Sequence, residues 1–279
     1  MQKLKILQSM WSMERRAPDG REDSLEDKIA KISDAGFDGI SARCHDRKMV
    51  RQLRGLLPGS CSYYEGQCFV GTVDELKPVL EIATEFDIGH IDLQPDIRPR
   101  LLAECIPILE GWQRLAEDVD FPVLVETHRD RMTTDLFFTL DILDEMPDLR
   151  LLADLSHYLV GREFAWPISA ENHGHIDRIL QNSWAFHGRV ASREQVQIEL
   201  SFAHHRQWLD LFKEWWLRGF QSWRSRAAHD ATLPFACELG PQPYAIAGAD
   251  GYDLSDRWAE SLQMKDIVSD LWAESRASN

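Results

Sequence analysis

The sequence predicts a single (β/α)8 barrel over residues 1–279, and three observations predict it. Short apolar strand-like segments alternate with helical segments eight times, the pattern of parallel βαβ units. The chain length suits one such barrel as a single domain. No GxGxxG turn follows the first strand, so the alternative, an open doubly wound sheet, lacks its usual phosphate-binding signature.

Lys3 to Trp11 (KLKILQSMW) reads as the first strand, followed by a polar loop through Arg15, Arg16, Pro18 and Gly20. A helix starts near Ser24, where Ser24 and Asp27 resemble a capping box, and Leu25, Ile29 and Ile32 keep helical spacing until Gly36. Strand two is Phe37 to Cys44, with its helix from Asp46 to Leu57 closed by Pro58-Gly59. Strand three is Ser60 to Tyr64, followed by a helix from Val73 to Phe86 with Leu76, Val79, Leu80 and Ile82 on its apolar side. His90 to Gln94 is strand four, ended by Pro95, and Leu101 to Val119 is an amphipathic helix.

Strands five and six bracket Phe121 to Tyr158, where FPVLVETH and LRLLADLSH each run from apolar residues into ionisable ones. Between them, Thr134 to Met146 carries Leu136, Phe137, Leu140, Ile142 and Leu143 on a helical face. Trp184 to Val190 is strand seven, Phe235 to Leu239 strand eight, and Leu254 to Ala273 the last helix. The long helical region Ser201 to Arg226 holds Trp208, Trp215, Trp216 and Trp223, whose spacing favours core or subunit-contact roles over sugar stacking. A homo-oligomer is compatible with that pattern.

Composition narrows the function classes. Hydrophobic residues at 44% and charged residues at 28% are those of an ordinary soluble protein. A formal charge of −15 repels nucleic acid and anionic membranes at long range. No apolar run reaches the roughly 18 residues that span a bilayer, and the first residues lack a basic start and cleavage site, so the expected location is the cytoplasm. Cys44, Cys61, Cys68, Cys105 and Cys237 are odd in number and lack CxxC spacing, which fits reduced thiols.

Four consecutive strands end in metal-ligand types: Glu126, Asp154, His187 and Glu238. A lone glutamate at a strand end is ordinarily solvated, and a lone histidine in WAFHGRV is ordinarily a satisfied core group. The same placement on four successive strands changes that balance, because ligands bind at the carboxyl ends of barrel strands. Three carboxylates and an imidazole suit one divalent cation, Mn, Mg, Zn or Co. Along FACEL, Glu238 alternates onto the side of Ala236, toward the barrel mouth. His157, three residues past Asp154, is placed to reach a substrate oxygen, and Trp11 and Gln94 end strands one and four where a sugar would sit. With no glycine-rich phosphate motif, a neutral sugar is favoured over a sugar phosphate.

The strand-five Glu, the Asp154-x-x-His157 of strand six, His187 with Arg189 on strand seven and the strand-eight Glu together resemble the xylose-isomerase-like sugar isomerase/epimerase superfamily, over nearly the whole chain. The resemblance implies that Glu126, Asp154, His187 and Glu238 bind one divalent metal and that the two glutamates move the substrate proton. His157 would then orient or protonate an oxygen, with His128, Arg189, Gln94 and Trp11 contacting a small carbohydrate. A metal-dependent isomerase or epimerase is the function implied, and β-elimination from a keto-sugar is the alternative on the same site. The chain departs from the family epimerases in having Met132, not Glu, six residues past Glu126. It departs from the family's AP endonucleases in the ends of strands three and four (Tyr63-Tyr64-Glu65, Gln94-Pro95-Asp96), which lack the additional histidines. A nuclease and a non-catalytic sugar-binding barrel are the lesser alternatives.

Overall fold

A computed structural model describes residues 1–15 and 21–276. The polar loop expected through Arg16, Pro18 and Gly20 lies outside the described residues. Eight parallel strands close into a barrel in sequence order. They are β1 (Lys3–Ser9), β2 (Gly39–Arg43), β3 (Tyr63–Val70), β4 (His90–Pro95), β5 (Val123–Glu126), β6 (Leu151–Ala153), β7 (Ser183–Gly188) and β8 (Thr232–Cys237). Pairing of Leu7 with both Gly39 and Ala236 joins the first strand to its two neighbours and closes the ring.

The helices α1 (Leu25–Asp34), α2 (Arg47–Leu56), α3 (Val73–Glu85), α4 (Leu102–Ala116) and α5 (Leu136–Glu145) follow the first five strands. They start where the sequence supplies caps. Ser24 accepts a hydrogen bond from the Asp27 amide, Asp46 from Lys48 and Met49, and Thr72 with Glu75 forms a reciprocal capping box. After β6 come α6 (Ser156–Gly161) and α7 (Ala170–Asn182), then α8 (Arg206–Arg226) and α9 (Arg257–Glu274). The eight expected repeats include a helix between strands six and seven, for which the sequence reading named no residues. Its signal is the Ser169 cap followed by Ile176, Ile179 and Leu180, all buried.

Strand three is the largest departure from expectation. It runs six residues beyond Tyr64, because Tyr64, Cys68 and Val70 pack outward into the helix layer while Glu65 and Gln67 alternate toward the barrel axis. A strand whose inner face is polar does not look apolar in sequence, although it is buried on both sides.

Two apolar regions hold the barrel. A large outer core fills the space between strands and helices, and a small inner one of Leu124, Leu152 and Ala185 plugs the lumen below the polar layers. The tryptophans of α8 belong to the outer core: Trp215, Trp216 and Trp223 are fully buried, and Trp216 meets Phe212 and Phe235 edge-on at 5.7 and 5.3 Å. They are packing residues, as their spacing implied. All five cysteines are buried and free. Among the described residues, no helix is long and apolar enough to cross a membrane.

Trp216→Ala is expected to cost about 3–5 kcal/mol of unfolding free energy in a urea titration, the range for emptying a buried aromatic site, with Trp216→Phe clearly milder. A loss below about 1 kcal/mol for the alanine variant would show that α8 is not tied to the barrel through this side chain.

Candidate metal and substrate site

Strand alternation sends Glu65, His90, Asp92, Glu126 and His187 to the barrel axis, and Glu238 follows β8 directly. His187 is the centre of the cluster. Its Nδ1 lies 3.2 Å from Glu126 Oε1 and 3.0 Å from Glu238 Oε2, and its Nε2 lies 2.8 Å from Glu65 Oε1. Two groups of ligand atoms, each drawn together within 4.8 Å, share this imidazole: Glu126, His187 and Glu238, and, deeper, Glu65, Asp92 and His187.

The deeper residues form a hydrogen-bonded chain that sets the histidine's orientation. The Tyr63 hydroxyl is 3.2 Å from His90 Nδ1, and His90 Nε2 is 2.8 Å from Glu65 Oε2. With Tyr63 donating to His90, and His90 and His187 each donating from Nε2 to Glu65, the Nδ1 of His187 is turned to Glu126 and Glu238. Such a carboxylate behind a ligand histidine fixes its tautomer and raises its basicity.

Asp154 belongs to a neighbouring network. Its Oδ1 accepts from the Ser156 amide and hydroxyl at 3.0 and 2.6 Å, while Oδ2 faces Arg189 Nε at 3.3 Å and His157 Nε2 at 3.2 Å without hydrogen-bond alignment. Arg189 spans this pair and the Glu126–His187–Glu238 group, donating from Nη2 to Glu238 Oε2 at 2.7 Å. The structure therefore draws Glu126, His187 and Glu238 into one compact group and holds Asp154 beside it.

Five carboxylates, those of Glu65, Asp92, Glu126, Asp154 and Glu238, are buried here with one guanidinium, Arg189. Burial disfavours charge on His187, but the Glu65 and Glu238 carboxylates outweigh it and hold its pKa well above the usual histidine range. Burial likewise opposes charge on Glu238, and Arg189 and His187 overcome it, bringing its pKa to about 2. Glu126 goes the other way: burial lifts it to about 7 against the pull of His187. Asp92 is raised well above its ordinary value by burial and by the Glu126 charge. Both Asp92 oxygens and Glu126 Oε2 are buried without hydrogen-bond partners. Unpartnered carboxylate oxygens converging with an oriented imidazole are the donor set of a divalent cation, so these residues fit the expected metal.

A cavity of about 640 Å³ opens above this cluster, lined in part by Trp11, Gln94, His128, Arg189, Glu238 and Tyr244. The sequence-expected substrate residues Trp11, Gln94, His128 and Arg189 thus line one cavity with Glu238. Trp11 lies against Gly240, where an added Cβ would come within 2.2 Å of its ring, and it meets Tyr244 edge-on at 5.1 Å. Gln197 clamps Gly240 by accepting from its amide at 2.7 Å and donating to its carbonyl at 2.9 Å. His157, in the first turn of α6, is buried behind His128 with ring centres 4.0 Å apart. Burial keeps the His128 imidazole neutral, lowering its pKa to about 3.

The sequence reading missed Glu65, His90 and Asp92. The available signal was alternation: Glu65-x-Gln67 and His90-x-Asp92-x-Gln94 place polar groups on one face of strands whose other face is apolar. All three lie ahead of the strand ends, where no preceding apolar run marks them out.

Two outcomes follow. Glu65→Gln removes the charge behind His187 and is expected to lower Mn²⁺ affinity by about 10- to 100-fold in a calorimetric titration with the fold intact; unchanged affinity would refute the orienting role. In metal-free protein, the raised Glu126 carboxyl makes the folded state hold a proton that the unfolded chain gives up, so its contribution to stability falls as pH rises from about 4.5 to about 7. The melting temperature of Glu126→Gln minus that of the parent should accordingly increase across this window and level off above it.

No protein-family model matches the chain, and no curated protein matches it. Solved structures do. A xylose isomerase-like TIM barrel protein from Mycobacterium smegmatis in complex with magnesium aligns with a TM-score of 0.61 at 12% identity, over 96% of this chain and 97% of that one. The probable 3-DHS dehydratase AsbF from Bacillus anthracis aligns with a TM-score of 0.58 at 13% identity, over 96% and 98%. A D-psicose 3-epimerase, solved in the presence of D-fructose, aligns with a TM-score of 0.56 at 13% identity, over 98% of each chain. The chain shares the closed (β/α)8 TIM-barrel fold of these structures.

Proposed function

We propose that the protein is a divalent-metal-dependent isomerase or epimerase of a small carbohydrate, acting by proton transfer beside a carbonyl. The observation that carries the reading is the buried Glu126–His187–Glu238 group, with an unpartnered Glu126 oxygen, at the inner end of a cavity of sugar-accommodating size. A bound divalent cation would polarise the carbonyl oxygen and stabilise the charge that develops as the adjacent C–H bond breaks.

The chain's own residues divide the remaining work. Glu238 lines the cavity and is held ionised by Arg189, so its carboxylate accepts the substrate proton. Glu126, whose Oε1 lies 3.2 Å from His187 Nδ1, is the second carboxylate of the pair and would return a proton to the substrate. Gln94 and His128 offer hydrogen bonds to substrate oxygens, and Trp11 with Tyr244 supplies an apolar wall.

Elimination from a keto-sugar is the second reading. It is favoured by His157, whose two ring nitrogens lack hydrogen-bond partners and whose ring packs at a tilt against His128, a route for a proton to a departing hydroxyl. Incubation of Mn²⁺-loaded protein with a ketose panel in deuterated water separates the two: epimerisation returns a sugar deuterated at one carbon, whereas elimination releases water and a conjugated product absorbing in the ultraviolet. Glu238→Gln is expected to lower either activity by at least about 100-fold. Full metal occupancy together with full exchange in that variant would refute the assignment.

A further inference from the structure

The rim of the cavity carries cations that a neutral sugar does not require. Among the described residues, its lining includes Arg15, Lys28, Arg43, Arg131 and Arg189 against Glu14 and Glu238, in a chain of formal charge −15. Some of this charge is answered locally. Lys28 pairs with Glu22 at 2.7 Å, Arg189 with Glu238, and Arg131 Nη1 lies 3.4 Å from Asp96 and 3.5 Å from Asp130.

Arg43 is different. It ends β2 at the mouth and, among the described residues, has no carboxylate partner; its guanidinium rests 5.6 Å from the centre of the Phe69 ring. Arg131 lies over the same ring at 5.5 Å, and its Nε is buried without a hydrogen-bond partner. Two guanidinium groups thus rest on one aromatic ring that lines the cavity. A second pair, Arg129 and Arg189, shares Tyr244 at 4.8 and 4.6 Å. An anion seated between like charges relieves their repulsion, and guanidinium forks match the geometry of carboxylate and phosphate oxygens.

We propose that the substrate carries an oxyanion, a carboxylate or a phosphate, bound at the rim by Arg43 and Arg131 while its carbonyl end reaches Glu238. The position of the carbonyl end rests on the proposed function; the anion site does not. The absence of a glycine-rich phosphate loop is no obstacle, because side-chain guanidinium groups supply what backbone amides supply in such loops.

Three probes of one carbon skeleton test the proposal: D-fructose, D-fructuronate and D-fructose 6-phosphate, titrated calorimetrically into Mn²⁺-loaded protein at low and high salt. At least one anion should bind about tenfold or more tightly than D-fructose, with an advantage that shrinks at high salt. Arg43→Gln, on an exposed side chain, should remove most of that advantage and leave Mn²⁺ affinity unchanged, and Arg131→Gln should do the same. Which anion wins identifies the oxyanion. Equal binding of all three, no measurable binding of either anion, or an advantage that survives in both variants would overturn the proposal. Loss of deuterium exchange in protein that still prefers the anion refutes the proposed reaction and not the anion site.

Discussion

Burial of excess negative charge around one imidazole is the constraint on which the rest of the structure depends. A carboxylate taken from water into a protein interior loses several kcal/mol of hydration, and here five are gathered within one barrel lumen. His187 and Arg189 offset part of this by contacting Glu65, Glu126, Glu238 and Asp154. What they leave over is visible in Asp92 and Glu126, whose carboxyls are pushed toward protonation. The cluster is most at ease with additional positive charge at its centre, and this is why its chemistry and its stability are linked.

An interior of this kind needs rigid walls, because a relaxed barrel would hydrate the carboxylates and dissolve their alignment. The walls come from two sources. The eight-strand ring satisfies its own backbone hydrogen bonds, and the outer core of helix-borne side chains is dense with aromatics from α8 packed on Phe186 and Phe235 of β7 and β8. Gly188, beside His187, permits this close packing: a Cβ there would fall 2.4 Å from Phe235 and 2.5 Å from Met264. Packing outside the barrel thus helps set the position of His187 inside it.

Moving outward along the barrel axis, the character of the site changes from buried acid to exposed base. The inner carboxylates are reached through Glu238, the one member of the ligand group that lines the cavity, and the rim above it is framed by guanidinium groups resting on Phe69 and Tyr244. A gradient of this sign draws an anionic molecule to the mouth against the charge of the whole chain and places its neutral, polar end over the acids.

Much of this was determined by the sequence alone. The eight alternations, the cap at Ser24, and the ionisable residues Glu126, Asp154, His187 and Glu238 after apolar runs depend on local periodicity and on the two-residue repeat of a strand, so they are legible without coordinates. Only the tertiary structure decided how these residues divide among contacts: that Glu126, Glu238 and Glu65 meet on His187, and that Asp154 turns to Arg189 and His157. It also revealed Glu65, His90 and Asp92, which lie ahead of the strand ends, since a polar residue buried in a barrel lumen looks in sequence like one facing water. The two cases differ in what lies across the barrel, on strands 25 to 122 residues away. Local sequence carries no record of such distant partners, whereas the closed sheet brings them within hydrogen-bonding distance.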